Sequence, residues 1–272
     1  MTPPRSAAFF DLDKTIIAKS SSLAFSRPFY KGGLINRRAV LRSGFAQFVF
    51  LVGGADHDQM ERMRAYLQSL VTGWPVDQVD AIVHETLHEL IDPIVFDEAV
   101  TLMEEHHAAG RDVVIVSSSG SAVVEPIGAM LGADHVLATR MLIEDGAYTG
   151  EIEFYAYGDN KAVAVTELAE EKGYDLAASY AYSDSVTDVP MLQAVGHPFA
   201  VNADRGLRKV AEESDWEQLT FATPVAMRRR LPRVAEIPPK QRLAAGAVAA
   251  GAAAGAAAGI VWFASRRSQP TV

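Results

Sequence analysis

The sequence predicts an α/β fold, a doubly wound, mainly parallel sheet with a helical cap inserted after the first strand and a membrane helix near the C-terminus. Three observations carry that reading. Short apolar runs alternate with helical patterns along most of the chain, as in a sheet covered on both faces. One long helical stretch, Ile17 to Leu90, interrupts the alternation. An uncharged segment, Leu243 to Ala264, follows a basic stretch at the far end. The 272 residues suffice for one large domain or for one domain carrying an insertion, and at 49% hydrophobic the chain can bury a sizeable core. The expected divisions are residues 1–16 and 91–220 for the core, 17–90 for the cap, 221–242 for a basic linker and 243–264 for the anchor.

The first strand covers Ala7 to Leu12. Apolar residues then recur at helical spacing through Leu34 to Val52. Breaks at Gly32-Gly33, Gly53-Gly54 and Gly73-Trp74-Pro75 divide the stretch into three or four short helices. Asp92 is read as an N-cap with Pro93 at the first helical position and Gly110 closing the helix. Asp112 to Val116, rich in β-branched residues, is a buried parallel strand. Ser121 to Leu131 is a helix ended by Gly132, and His135 to Ala138 a short strand. Glu144-Asp145-Gly146 marks a hairpin turn before Tyr148-Thr149-Gly150. Lys161 to Glu171 is a helix stopped by Gly173, Tyr180 to Ser183 a strand, Val189 to Ala194 a helix, Phe199 to Val201 the last strand and Leu207 to Glu213 a final helix.

Charge is unevenly spread. From Ala226 onward eight basic residues face only Glu236, a surplus of +7 in a chain of formal charge -9, which leaves -16 on the body. An acidic body argues against nucleic acid as a partner. The basic stretch argues for an anionic lipid surface. Leu243 to Ala264 is long enough to cross a bilayer. Its apolar weight rests on Leu243, Val248 and Ile260-Val261-Trp262-Phe263, and the plain alternative is a flexible Ala/Gly-rich tail. Gly251, Gly255 and Gly259 repeat at four-residue spacing, the small-residue pattern of packed membrane helices, and offer a face for homo-oligomers. More positive residues precede the segment than follow it, which places the body on the cytoplasmic face of the cell membrane behind a single-pass anchor. Met1 to Arg5 opens directly into the first strand, so no signal peptide is read. The chain has no cysteine, which excludes disulfides, thiol catalysis and thiolate metal sites.

The chemistry concentrates in Asp11-Leu12-Asp13-Lys14-Thr15, at the end of the first strand. Residues i and i+2 of an extended segment point the same way, so Asp11 and Asp13 can converge on one cation and one substrate. Carboxylate oxygens suit Mg2+, and an Asp beside Mg2+ can serve as a nucleophile that becomes an aspartyl phosphate. As a strand-end turn or helix cap the same residues need no chemistry. Three further sites lie at strand ends or helix starts. Ser117-Ser118-Ser119-Gly120 offers hydroxyls and N–H groups to an anion, or is an ordinary serine-rich loop. Lys161 opens a helix, where it reads equally as a surface charge. Ser183-Asp184-Ser185-Val186-Thr187-Asp188 adds two carboxylates, or is a solvated loop.

Taken in order from Phe9 to Trp216, this set resembles the haloacid dehalogenase (HAD) superfamily, in particular its phosphoserine-phosphatase-like branch, family IB, with a helical cap between the first two motifs. The resemblance implies a Mg2+-dependent phosphomonoester phosphatase acting through an aspartyl-phosphate intermediate. It makes Asp11 the nucleophile. It makes Asp13 the group that protonates the leaving oxygen and later deprotonates water, with its carbonyl on Mg2+. Thr15, Ser117 and Ser118 would hold phosphate oxygens, and Lys161 would offset charge on phosphate and Asp11. The implied metal set is Asp11, Asp13 and Asp184, with Asp188 orienting Lys161 or water at the metal.

The sequence also departs from that pattern. Ser20 stands where phosphoserine phosphatases carry an acidic residue for the substrate amino group, which argues against phosphoserine itself. Ser183 replaces a Gly and Thr187 an Asn. Arg27, Tyr30, Arg37, Arg38 and Arg42 are candidate contacts for a small phosphorylated substrate in the cap. His84 and His88 share a helix face at metal-ligand spacing but have no third ligand nearby. His106-His107 reads as complement to a helix C-terminal dipole. Two other function classes stay open: a lipid-phosphate phosphatase working at the bilayer, and a catalytically idle membrane-tethered binding protein.

Overall fold

The computed structural model describes residues 5–35, 68 and 71–223. The central strand is β1, Ala7–Asp11, and every residue in it is buried. It can be apolar on both faces because it has a neighbour on each side and helices above and below. It pairs in parallel with β2, Asp112–Gly120, and with β5, Tyr180–Ser183. The sheet continues on one side through β3, His135–Glu144, and the antiparallel β4, Ala147–Phe154. On the other it continues through β6, His197–Val201, and β7, Glu217–Leu219. The strand order is β4-β3-β2-β1-β5-β6-β7. Six of the seven strands run parallel, as expected of a doubly wound sheet.

Period-two alternation divides the core. Ala8, Phe10, Leu12, Val113 and Ile115 face one side and meet three helices: α3, Val76–Ile91; α4, Asp97–Ala108; and α5, Ser121–Leu131. Ala7, Phe9, Val114 and Val116 face the other. They meet α6, Asp159–Lys172, α7, Val189–Gln193, and α8, Arg205–Glu213. After β1 come two short helices, α1, Ser21–Ala24, and α2, Ser26–Lys31. This part of the chain leans on the β3–β4 hairpin: the Val76 amide donates to the Gly146 carbonyl at 2.9 Å, and the Tyr148 amide to that of Trp74 at 3.0 Å. The hairpin turn is where the sequence places it, with Asp145 and Gly146 at φ of 50° and 76°, the left-handed pair that joins two twisted strands.

Several expectations are corrected. Asp92 and Pro93 do not begin the helix before β2. They form a 3-10 turn, Asp92–Ile94, that ends α3, and α4 starts at Asp97 after an extended Phe96. β2 does not stop at Val116 but runs to Gly120, so the serine run is strand rather than loop. β3 is longer than read because its partner β4 supports it through the hairpin. The edge strand β7, with little apolar content, went unread. The chain is still tied to the core at Thr223, inside the stretch read as linker: Glu98 accepts the amides of Ala222 and Thr223 at 3.1 and 3.0 Å.

Among the described residues no helix is long and apolar enough to cross a membrane. The segment 243–264, its Gly251/Gly255/Gly259 face and the basic residues before it lie outside the described residues, as do Arg37, Arg38 and Arg42.

Candidate active site

The sheet gathers its charged groups at the C-terminal ends of β1, β2 and β5, where an open α/β sheet places its chemistry. Asp11 is the last residue of β1 and is buried. Beyond it the chain turns tightly, with Lys14 in the left-handed region at φ 64° and its amide donating to the Ile17 carbonyl. A non-glycine residue held there is strained, and such strain clusters at functional sites. The turn brings Thr15 back, its hydroxyl 3.4 Å from Asp11 Oδ2.

Lys161, on the first turn of α6, is 2% exposed. Its ammonium donates to Asp11 Oδ1 at 2.6 Å and to Asp188 Oδ2 at 2.7 Å. Asp188 also accepts from the Ser183 hydroxyl at 2.7 Å. Asp184 is buried beside them, with the exposed Lys14 ammonium at 3.8 Å. Its loop is pinned from outside: Asp204 accepts the Val186 amide at 3.0 Å and the Leu207 amide at 2.7 Å, and the Asp204 amide donates to the Asp184 carbonyl.

Asp13 sits one step further out. Its Oδ1 accepts the Ser21 amide at 2.8 Å, and its Oδ2 accepts the Ser119 hydroxyl at 3.3 Å. Ser117 is buried, and its hydroxyl accepts the Ser119 amide at 3.2 Å. Ser118 points the other way. Strand alternation buries Ser117 and Ser119 and leaves Ser118 exposed, its carbonyl accepting from Thr139 at 2.8 Å. Ser118 is thus the one predicted site residue whose side chain turns out of the cluster. Sequence reasoning missed Ser119, Ser21 and Ser183 as partners of carboxylates. The signal for Ser119 was its position two residues beyond Ser117, which is informative only once β2 is known to continue.

The electrostatics show a surplus of negative charge, with three buried carboxylates sharing one buried ammonium. Burial raises the Asp11 carboxyl far above the ordinary range; Lys161 offsets part of this, while Asp188 and Asp184 add to it. Burial also raises Asp13, against the hydrogen bonds from Ser21 and Ser119. Asp184 is pushed up to about 6, by burial first, with Lys14 opposing and Asp188 and Asp204 reinforcing. Burial alone would lower Lys161, but Asp11 and Asp188 overcome it and hold the ammonium above the usual lysine range. A bound cation beside Asp11 and Asp184 would relieve this imbalance.

The donor set fits Mg2+, which takes hard oxygens and is usually held by one or two carboxylates together with water and phosphate. Asp11, Asp184 and the Asp13 carbonyl are the groups that would supply it. Among the described residues no cluster of three His, Cys, Asp or Glu side chains forms a metal cage. His84 and His88 are turned to local partners, His84 Nδ1 to the Asp80 carbonyl and His88 Nδ1 to Asp92. His106 does not complement a helix dipole. It is buried, with its pKa lowered to about 4 by burial and then by Arg111 and His107, so the ring is neutral at neutral pH. His107 instead pairs with Asp134 at 2.8 Å.

Comparison with known proteins shows the family. The model of the haloacid dehalogenase-like hydrolase family matches residues 8–193. A Streptomyces azureus protein named for inhibition of morphological differentiation is 64% identical over 97% of this chain and 95% of its own length. A probable phosphatase of Mycobacterium tuberculosis is 58% identical over 91% of this chain and 87% of its own. The structure of a substrate-bound phosphoserine phosphatase superposes with a TM-score of 0.58 at 19% identity, covering 81% of this chain and 94% of that one, and shares the fold.

Proposed function

This chain belongs to the haloacid dehalogenase-like hydrolases and is a phosphoric monoester hydrolase, and we propose that it works on a small phosphomonoester through a phosphorylated Asp11 with Mg2+ as cofactor. The observation that carries the proposal is the buried Asp11–Lys161–Asp188 array at the end of β1. An oxygen of Asp11 attacks phosphorus in line, the bond from phosphorus to the ester oxygen breaks, and that oxygen takes a proton from Asp13 to leave as the alcohol. Water then attacks the same phosphorus and gives its proton to Asp13. The Asp11–phosphorus bond breaks, inorganic phosphate leaves and Asp11 is restored. The raised Asp13 carboxyl suits a group that must first be an acid. Lys161 and Thr15 sit where they would meet charge on the phosphoryl oxygens, and Asp188 holds the Lys161 ammonium in place. Mg2+ would neutralise charge on the phosphoryl group, which dominates catalysis of this transfer.

We assign the helical stretch after β1 to a cap over the site, with substrate contacts there, and Ser20 argues against phosphoserine. The uncharged segment 243–264 and the basic residues before it support a single-pass anchor with the body on the cytoplasmic face. The same segment favours a lipid phosphate as a second substrate reading.

The test is Mg2+-dependent phosphate release by the full chain in detergent, on a panel of soluble and lipid phosphomonoesters. Asp11→Asn should lower turnover by about 1000-fold or more, as expected for loss of a nucleophile, and chelation of the metal should abolish it. Acid-quenched enzyme should carry phosphate on Asp11. Undiminished turnover by a clean Asp11→Asn preparation would remove the proposed mechanism.

A further inference from the structure

We infer that Ser119 is a positioning residue that aims the Asp13 carboxyl at the leaving oxygen; the inference rests on the role proposed above for Asp13. Ser119 lies at the end of β2, two residues beyond Ser117 on the same side of the strand, and is buried. The pairing of β2 with β3 shifts register between Ser117 and Gly120. Its single hydroxyl proton goes to Asp13 Oδ2 at 3.3 Å. The Ser21 hydroxyl donates to Ser119 Oγ at 2.9 Å. Ser22 Oγ lies 3.1 Å from the same oxygen, and with the Ser119 proton already committed, Ser22 must be the donor. One hydroxyl thus uses its donor and both lone pairs at once.

The two oxygens of Asp13 are held by different elements, Oδ1 by the Ser21 amide that opens α1 and Oδ2 by β2. The terminal torsion of an aspartate is broad, and the Ser20 and Ser21 hydroxyls also lie within hydrogen-bonding reach of this carboxyl. The Ser119 donor is the one supplied by β2, on the oxygen opposite the Ser21 amide, and it helps to fix the carboxyl plane. The Ser119 contact is longer than the Ser21 amide at 2.8 Å, so its loss should loosen the acid rather than remove it. On this reading Ser119 acts through Asp13 and not on the substrate.

Loss of aim at an acid shows in how turnover depends on the leaving group. Nitrophenolate leaves with little help from a proton, whereas phenolate needs more. The experiment compares kcat/KM of the full chain and of Ser119→Ala on phenyl phosphate and on p-nitrophenyl phosphate. This parameter reports events up to departure of the alcohol. We expect a fall of about 10-fold on phenyl phosphate and of less than about 2-fold on p-nitrophenyl phosphate, part of the range general acids contribute. Ser119→Thr, which returns the hydroxyl, should restore both. If Ser119→Ala does not fold, Ser119→Cys fills the same place with a poor donor and should show the same split. Equal losses on the two esters, or none, would overturn the inference while leaving the phosphatase in place. Absence of Asp11-dependent turnover in the unaltered chain would instead sink the phosphatase reading, and this inference with it.

Discussion

Lys161 and His106 are each 2% exposed, and each is hydrogen-bonded on two sides, yet one keeps its charge and the other loses it. Burial disfavours the charged form of both. Lys161 faces the carboxylates of Asp11 and Asp188, which outweigh burial. His106 faces a phenol and a guanidinium: Arg111 donates from Nε to His106 Nδ1 at 2.6 Å, and His106 Nε2 meets the Tyr182 hydroxyl at 2.9 Å. Neither partner rewards a positive ring, and Arg111 penalises one. On the function proposed above, the contrast separates a cluster that serves packing from one that serves chemistry. The His106 ring is neutral and both of its nitrogens have partners. The Lys161 cluster carries more carboxylates than one ammonium can match, an imbalance that makes sense where a metal ion is to be added.

The largest effect should come from removing the charge that balances the site. Lys161→Met keeps a chain of similar length and leaves Asp11 and Asp188 buried without their shared partner. Turnover should fall by about 1000-fold, as for other electrostatic groups at a transition state. The metal-free fold should lose roughly 3–5 kcal/mol, the usual result of orphaning a buried charge. Steady-state kinetics and urea unfolding measure the two. A variant as active and as stable as the original would show that the carboxylates, not Lys161, set the balance.

The same contrast marks what could be read from the sequence. The strands Ala7–Asp11 and Tyr180–Ser183 were legible because they are short, apolar and bounded by turn-forming residues, and the hairpin because Asp145-Gly146 supplies the required backbone. Asp11, Lys161 and Asp188 could be named in order, but nothing in the chain says that residues 150 positions apart will meet at 2.6 Å. Ser117 and Ser118 are equivalent if the run is a loop; as strand, alternation separates them. His106 departs from its expected role for a related reason. Its place near the end of a helix suggested a dipole partner, whereas its environment is made by Tyr182 and Phe10 from distant strands.

A smaller effect tests the neutral side of the comparison. The ordinary histidine value is 6.5, and that of His106 is lowered to about 4. Above about 6.5 the ring is neutral in both the folded and the unfolded chain, and its contribution to stability is complete. As pH falls from 6.5 toward 4, the unfolded chain takes up a proton that the folded chain refuses, so stability drops. At about 1.4 kcal/mol per unit, the loss is at most roughly 3–4 kcal/mol. The raised carboxyls of Asp13 and Asp184 slope the other way, since the folded chain holds their protons longer. Urea unfolding of His106→Gln beside the original cancels those terms. The difference between the two should narrow as the pH is lowered through this window, and a constant difference would mean that His106 is protonated in the fold.

The smallest effect separates hydrogen bonding from stacking within the same cluster. With Nδ1 accepting from Arg111, His106 carries its proton on Nε2 and donates it to the Tyr182 hydroxyl. Tyr182→Phe removes that acceptor and leaves a buried N–H without a partner. The ring itself remains stacked between Phe10 at 4.4 Å and Phe199 at 4.9 Å, so no cavity of consequence opens. The cost should therefore be that of the orphaned donor, about 1–3 kcal/mol, read as a lower urea midpoint with an unchanged slope. Turnover should stay within about twofold, because the Tyr182 side chain lies on the face with Phe10 while Ser183 turns to Asp188. A large loss of turnover with little loss of stability would instead tie the two clusters together through β5, and the division between packing and chemistry would fail at that strand.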